Sequence, residues 1–286
     1  VAALSGARRV LAGSGGVATA VVLSGVSLYG WLQSRGGHAL AEAGPPASAK
    51  SLRSSVASSR LARRIMRFRM ADGSVMRCRI VDSGGLLSVW ADRDYDIPGV
   101  DWAKVRQIVD IGAHVGSFTV WAARRAPNAR CLAVEPNPGT FELLQANVRA
   151  NGLEARVATV NAAVGTAHGT AGLELVEHSL GTRLARNGAG EVTVDVETIT
   201  SLLENADMRQ PDVLKVDCEG MEYELFPSIG AERLRGIGVI ACEYHPEPGH
   251  SVEELDAILR SANFDVRRPD QSLGVLWATH PAPSTV

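Results

Sequence analysis

In Ile108-Val109-Asp110-Ile111-Gly112-Ala113-His114-Val115-Gly116-Ser117-Phe118 an apolar strand pattern runs into an acid, then into two glycines four residues apart, at the start of a helical pattern. Gly112 lets the backbone turn and a ligand approach where a Cβ would collide, and Gly116 permits a close strand–helix contact. Asp110 falls at the carboxyl end of its strand, the edge at which open α/β sheets bind ligands. The next strand pattern ends in Ala133-Val134-Glu135-Pro136-Asn137, an acid 25 residues after Asp110. A carboxylate there can accept both hydroxyls of a ribose.

Two nucleotide classes share this logic. A dinucleotide enzyme wants G-x-G-x-x-G, so that a helix N-terminus can hold a pyrophosphate. This chain has D-x-G-x-x-x-G, with Asp110 where the first glycine would stand. An acid repels a pyrophosphate and attracts a cationic sulfonium or amino group, so the motif favours S-adenosylmethionine over NAD. An NAD-dependent oxidoreductase is the alternative enzyme. A catalytically silent module that binds nucleotide or carbohydrate is the alternative outside enzymes.

Outward from this motif, strand and helix patterns alternate. Strands are predicted over 106–111, 129–134, 157–164, 213–216 and 237–242, with final strands near 264–266 and 273–277. Helices are predicted over 116–125, 140–150, 221–229 and 252–262. Segments 171–176 and 191–196 alternate with period two, as an inserted hairpin would. Upstream, Ala71-Asp72-Gly73 separates two short strand patterns, and Asp-Gly is a hairpin turn signal. The pattern is that of a parallel, doubly wound α/β sheet preceded by a β-hairpin.

The chain has 286 residues, 45% hydrophobic and 21% charged, with formal net charge −2. That balance excludes collagen-like, coiled-coil and wholly disordered chains. The charge is uneven: residues 1–70 hold ten Lys/Arg and one acid, residues 71–286 nineteen and thirty. An acidic body offers no footprint for a phosphate backbone, so no nucleic-acid partner is expected. Arginine outnumbers lysine 26 to 3, a skew that suggests a high-GC bacterial coding sequence. Cys78, Cys131, Cys218 and Cys242 lie apart without a C-x-x-C, which points to buried free thiols rather than zinc or disulfides.

Residues 1–59 read as leader and linker, 60–280 as the folded domain and 281–286 as a tail. Residues 10–32 carry no charge over 23 positions, long enough to cross a bilayer, although glycines and serines dilute the run. Three readings of it stay open: a membrane-associated helix, a signal peptide with Ala39-Leu40-Ala41 or Ala41-Glu42-Ala43 as its cleavage site, and a disordered leader. If the run spans a membrane, the basic residues after it outnumber Arg8 and Arg9 and keep the domain in the cytoplasm, where S-adenosylmethionine is made.

Val109 to Phe118 (VDIGAHVGSF), Ala133 to Pro138 (AVEPNP), Asn147 to Gly152 (NVRANG), Asp94-Tyr95-Asp96 and above all Asp212 to Phe226 (DVLKVDCEGMEYELF) resemble the FkbM-type methyltransferases. The resemblance runs from about Arg67 to Ala278. It implies a seven-stranded Rossmann-like sheet and methyl transfer from S-adenosylmethionine to a hydroxyl of a small molecule, a sugar or natural product. By motif it implies that Asp110 and Gly112, with Gly116 in the same turn, line the methionine half of the cofactor. Glu135 would hold the ribose, and Asn161-Ala162-Ala163 would lie near the adenine.

An unactivated hydroxyl is a weak nucleophile and needs a base or a metal ion. Lys215, Asp217 and Glu219 alternate at the end of one strand, Glu243 and His245 at the end of the next. Asp217, Glu219 and His245 are the candidate catalytic residues. Asp217 could equally be a helix cap, and Glu219 and Glu222 first-turn acids favoured by the helix dipole. Lys215 is expected to bridge to Glu219 or to serve the site directly, and His114 is given no role. With no compact metal motif, no metal is assigned. If His245 is the base, activity should rise through a pKa near the ordinary value of about 6.5.

Overall fold

β1 (Ile65–Arg69) and β2 (Val75–Arg79) pair antiparallel around the Asp72-Gly73 turn, as expected from the Asp-Gly signal. Their inward face carries Met66, Phe68, Met76 and Cys78, and their outward face is largely arginine. The computed structural model describes residues 63–174, 183–185, 190–269 and 274–281. The expectations for residues 10–32, the whole proposed leader and all but the first residue of the proposed tail lie outside the described residues.

Between hairpin and sheet, a stretch without strand or long-helix periodicity forms a 3-10 turn (Ile80–Asp82), the short helix α1 (Gly84–Leu87) and a wider helical run (Ser88–Asp92). Asp94-Tyr95-Asp96 follows. Tyr95 packs on Phe118 with ring centroids 4.9 Å apart, and the Trp277 indole donates to the Asp94 carbonyl at 2.8 Å.

The body then alternates: β3 (Gln107–Ile111), α2 (Ser117–Arg125), β4 (Arg130–Val134), α3 (Pro138–Ala150) and β5 (Val157–Val160). The strand expected over 157–164 breaks at Asn161-Ala162. Its second half, β6 (Ala163–Gly165), leaves the main sheet and pairs parallel with β9 (Val192–Thr198). β9 pairs antiparallel with β7 (Gly169–Glu174), the expected hairpin insertion, and β7 with β8 (Arg183–Leu184). The insertion is therefore part of a four-stranded sheet.

After β9 come α4 (Ile199–Asn205), β10 (Val213–Val216), α5 (Glu222–Ile229), α6 (Ala231–Arg235), β11 (Val239–Glu243), α7 (Val252–Ser261), β12 (Asp265–Arg267) and β13 (Val275–Thr279). The seven strands of the main sheet run in the order β12-β13-β11-β10-β3-β4-β5. Five central strands are parallel, and β13 runs antiparallel to both its neighbours, the one departure from an all-parallel sheet.

Because side chains alternate across a strand, Ile108 joins a layer with Trp121, Leu144 and the hairpin. Val109 joins the opposite layer with Leu225, Phe226 and Leu259. Leaving β3, the chain builds β4 and β5 to one side and later returns to build β10 on the other. That reversal opens a crevice at the carboxyl ends of β3 and β10, where such sheets bind ligands. Among the described residues, no helix is long and apolar enough to cross a membrane.

Candidate active site

The floor of the crevice is set by β3 and β10 lying side by side. Their register places Lys215 next to Asp110. Lys215 is 4% exposed and Asp110 1%. The ammonium lies 3.3 Å from Asp110 Oδ1 and 3.2 Å from Asp217 Oδ2, and donates to the Gly112 carbonyl at 2.6 Å. Burial opposes its charge, but Asp217 and Asp110 outweigh that and raise its pKa well above the ordinary lysine value. Lys215 thus bridges to Asp110 and Asp217, not to Glu219 as the spacing suggested: strand pairing brings the first two together, and spacing along one strand is blind to it.

Asp110 therefore sits beneath the crevice, held by Lys215 and by the Thr119 hydroxyl, rather than lining it as the family motif implied. Gly112, with φ +71°, does line it, but its lack of a Cβ serves the chain itself. A Cβ there would lie 1.7 Å from the Asp217 carbonyl oxygen. At Gly116 a Cβ would meet Leu144 of α3 at 2.7 Å, so this glycine seats a helix and does not line the crevice.

Glu135, at the exit of β4, lines the crevice and is 6% exposed. One carboxylate oxygen accepts the His114 N–H at 2.8 Å and the other the Asn137 N–H at 3.0 Å. Burial raises its pKa to about 7 against the pull of those two hydrogen bonds. Ala162 lines the same crevice. Asn161 does not; its amide donates to the carbonyls of Glu135 and Pro136 and so fixes where β4 ends relative to β5. His114 lines the crevice at φ +52°, with burial lowering its pKa to about 4.

The opposite wall is the turn after β10. Asp217 and Glu219 line the crevice together with Cys218 and Met221, and Glu219 occupies the left-handed region at φ +55°. A non-glycine residue held there needs its surroundings to over-determine it. Glu222, at the start of α5 and fully buried, does so: it accepts from the Cys218 N–H at 3.0 Å and the Gly220 N–H at 2.9 Å. Glu222 does stand in the first turn of α5, as its position in the sequence implies, and its oxygens also serve the preceding turn; its place in the K-x-D-x-E-G-x-E run is the sequence signal for that second role.

β11 lies beside β10 and brings His245 to this turn. His245 Nδ1 lies 3.1 Å from Glu222 Oε1, and Nε2 lies 3.4 Å from Glu219 Oε2 and 3.9 Å from Asp217 Oδ1. The three catalytic candidates thus converge. Burial opposes a charge on the imidazole, but the Glu222 hydrogen bond and the charges of Glu219, Glu222 and Asp217 raise its pKa well above the ordinary value. The expected titration near 6.5 is corrected upward for this reason. Glu243 ends β11, and burial together with Asp217 raises its pKa to about 8. Asp217, Glu243 and His245 each offer a ligating atom within 4.8 Å of the others, a spacing that could hold a metal ion.

Residues 110–266, more than half of the chain, match the family described as "Methyltransferase FkbM domain". Over 221 residues the chain is 25% identical to "Methyltransferase sdnD" of Sordaria araneosa, covering 64% of this chain and 84% of that one. It is 27% identical over 143 residues to "Hexuronic acid methyltransferase AglP" of Haloferax volcanii, covering 48% of this chain and 54% of the relative. A solved O-methyltransferase family protein from Burkholderia thailandensis aligns with a TM-score of 0.43 at 14% identity, covering 70% of this chain and 58% of that one.

Proposed function

The chain belongs to the FkbM methyltransferase family, and from that premise we propose that it transfers a methyl group from S-adenosylmethionine to a hydroxyl of a sugar or natural product. Membership in a methyltransferase family sets aside the NAD-dependent oxidoreductase. The observation that carries the reading is one crevice, at the carboxyl edge of the sheet, lined by Glu135 on one side and by Asp217 and Glu219 on the other. Three carboxylates suit a donor that bears a sulfonium and an amino cation, and would repel a pyrophosphate. The relative named as a hexuronic acid methyltransferase supports a sugar as the acceptor class.

When bound, S-adenosylmethionine supplies an electrophilic methyl on a good leaving group. The protein's share is alignment, exclusion of water and removal of the hydroxyl proton. Each oxygen of Glu135 takes one backbone N–H and keeps a further lone pair, which is the capacity needed to accept ribose hydroxyls. Ala162 leaves its part of the crevice unobstructed by a larger side chain. Lys215 holds the floor together with Asp110. His245 Nε2 takes the acceptor proton, and Asp217 and Glu219 steady the imidazolium that results. The base is the neutral imidazole, so turnover should climb at pH values above the ordinary histidine range. We place this reaction in the cytoplasm, which protease protection in fractionated cells tests.

The clustering of Asp217, Glu243 and His245 favours a second reading, in which a divalent cation polarises the acceptor oxygen. The deciding experiment is a methyl-release assay on a panel of hydroxylated sugars, with and without EDTA. Asp217→Ala and His245→Ala should each lower turnover at least about 100-fold, within what base catalysis supplies; donor affinity by calorimetry should be little changed in His245→Ala and weaker in Asp217→Ala, which loses one of the three carboxylates. Turnover that survives EDTA supports the base; turnover abolished with donor binding intact supports the cation. Donor binding without methyl release to any acceptor would leave a silent module.

A further inference from the structure

We propose that the outer face of the β1–β2 hairpin is a docking surface for an anionic lipid bilayer. The register sets Arg67 directly opposite Arg77 and places Arg69 and Arg79 on the same outward face. Like charges directly opposite each other on a strand pair are destabilising. Arg79 is neutralised by Asp82. Among the described residues, no acid pairs with Arg67, Arg69 or Arg77, nor with the exposed Arg63 and Arg64 that lead into β1. This concentration of positive charge stands on a chain whose residues 71–286 hold nineteen basic and thirty acidic side chains.

What sits among the arginines selects the partner. Ile65, at 54% exposure, is the only large hydrophobic exposed among the described residues, and it lies on this face opposite Arg79. An apolar side chain on the same strand face as several arginines fits the headgroup boundary of a bilayer with anionic lipids, where both terms contribute. Single-stranded nucleic acid is instead gripped by exposed aromatic rings on which bases stack, and the face presents none. The hydrogen-bonding edge of β2 is already taken: Asn147 of α3 and Asn151, which caps that helix, bond the backbone N–H and C=O of Arg77 and Val75.

The test is flotation of the full-length chain with vesicles of phosphatidylcholine alone or with added phosphatidylglycerol, at low and high salt. Wild type should partition onto the anionic vesicles and be released by salt. The triple variant Arg67→Gln, Arg69→Gln, Arg77→Gln should lose on the order of 100-fold in that partition, with methyl transfer unchanged and a melting temperature equal to or above wild type, because the Arg67–Arg77 repulsion is relieved; the corresponding triple lysine variant should retain the partition. Partition onto neutral vesicles isolates any contribution of residues 10–32, which needs no anionic headgroup. Equal partition of wild type and the glutamine variant onto anionic vesicles overturns the proposal. So does failure of wild type to prefer them, or capture by single-stranded RNA without capture by vesicles.

Discussion

Glu222 divides its two oxygens among three partners, the N–H groups of Cys218 and Gly220 and the His245 imidazole. It therefore shapes the turn that presents Glu219 and also holds a proton on the candidate base. The sign of its effect follows: a neighbouring carboxylate stabilises the imidazolium, so removing that charge lowers the pKa of His245. If neutral His245 takes the acceptor proton, the pH midpoint for kcat in Glu222→Gln should move down toward the ordinary histidine value, with donor affinity retained. An unmoved midpoint would take the base role away from His245. Lys215 offers a complementary test on stability. Losing one partner of a buried pair costs about 3 to 5 kcal/mol, and Asp110, 1% exposed, would be the stranded charge in Lys215→Met. Urea unfolding should show that loss, and adding Asp110→Asn should recover part of it. Full stability of the single variant would mean that water reaches Asp110.

Among the elements, α3 does what strand pairing would otherwise do. The Asn147 and Asn151 side chains, one turn apart, bond both the N–H and the C=O of Arg77 and of Val75 and so cover the edge of β2; Asn147 also donates to the Val115 carbonyl in the crevice turn. The Asn-x-x-x-Asn-Gly run that marks the end of this helix in sequence is thus a clamp between hairpin and crevice. Asn147→Ala should cost about 1 to 3 kcal/mol for each buried group left unsatisfied and increase hydrogen exchange across residues 75–79 before it affects the rest of the sheet. Uniform exchange would show that hairpin and sheet open together. The same elements show why some of the fold is legible in sequence and some is not. Asp72-Gly73 and the 107–118 run announce themselves by local chemistry. The break at Asn161-Ala162 does not, because in 157–164 only Asn161 interrupts an otherwise strand-like pattern and periodicity carries no information about which sheet each half joins. Helices α4 and α6, of seven and five residues, are too short for a 3.6-residue period to register. In the site, strand alternation is enough to bring Asp217, Glu219 and His245 together, whereas the partners of Lys215 and Glu222 depend on register and on a turn closing back on itself.

Across the whole molecule, the crevice lies at the carboxyl ends of the main sheet, and its walls come from the ends of β3 and β4, the turn after β10, and Ala163, Val164, Leu173 and Leu184 of β6, β7 and β8 in the small sheet. A ligand there touches segments far apart in the chain, so its binding energy opposes global unfolding rather than the fraying of one element. S-adenosylhomocysteine, which keeps the adenosine and amino acid of the donor, should raise the melting temperature through mass action. At 100 times its Kd the stabilisation is about 2.7 kcal/mol. For a domain of this size each kcal/mol moves the melting temperature by roughly 2 to 4 °C, so a shift of roughly 5 to 11 °C is expected. NAD at the same concentration should give none. Glu135→Ala should reduce the shift by removing charge-assisted ribose contacts worth about 1.5 to 3 kcal/mol. The pH dependence has a definite sign: burial raises the Glu135 pKa to about 7, and only the carboxylate can accept two hydroxyls, so the shift should be larger at pH 8 than at pH 6 in wild type and equal at both in the alanine variant. The same measurement on a chain beginning at residue 60 tests the domain boundary, because a shift of equal size there means that residues 1–59 add nothing to the donor site. A shift that ignores both pH and Glu135 would move the ribose contact to another residue.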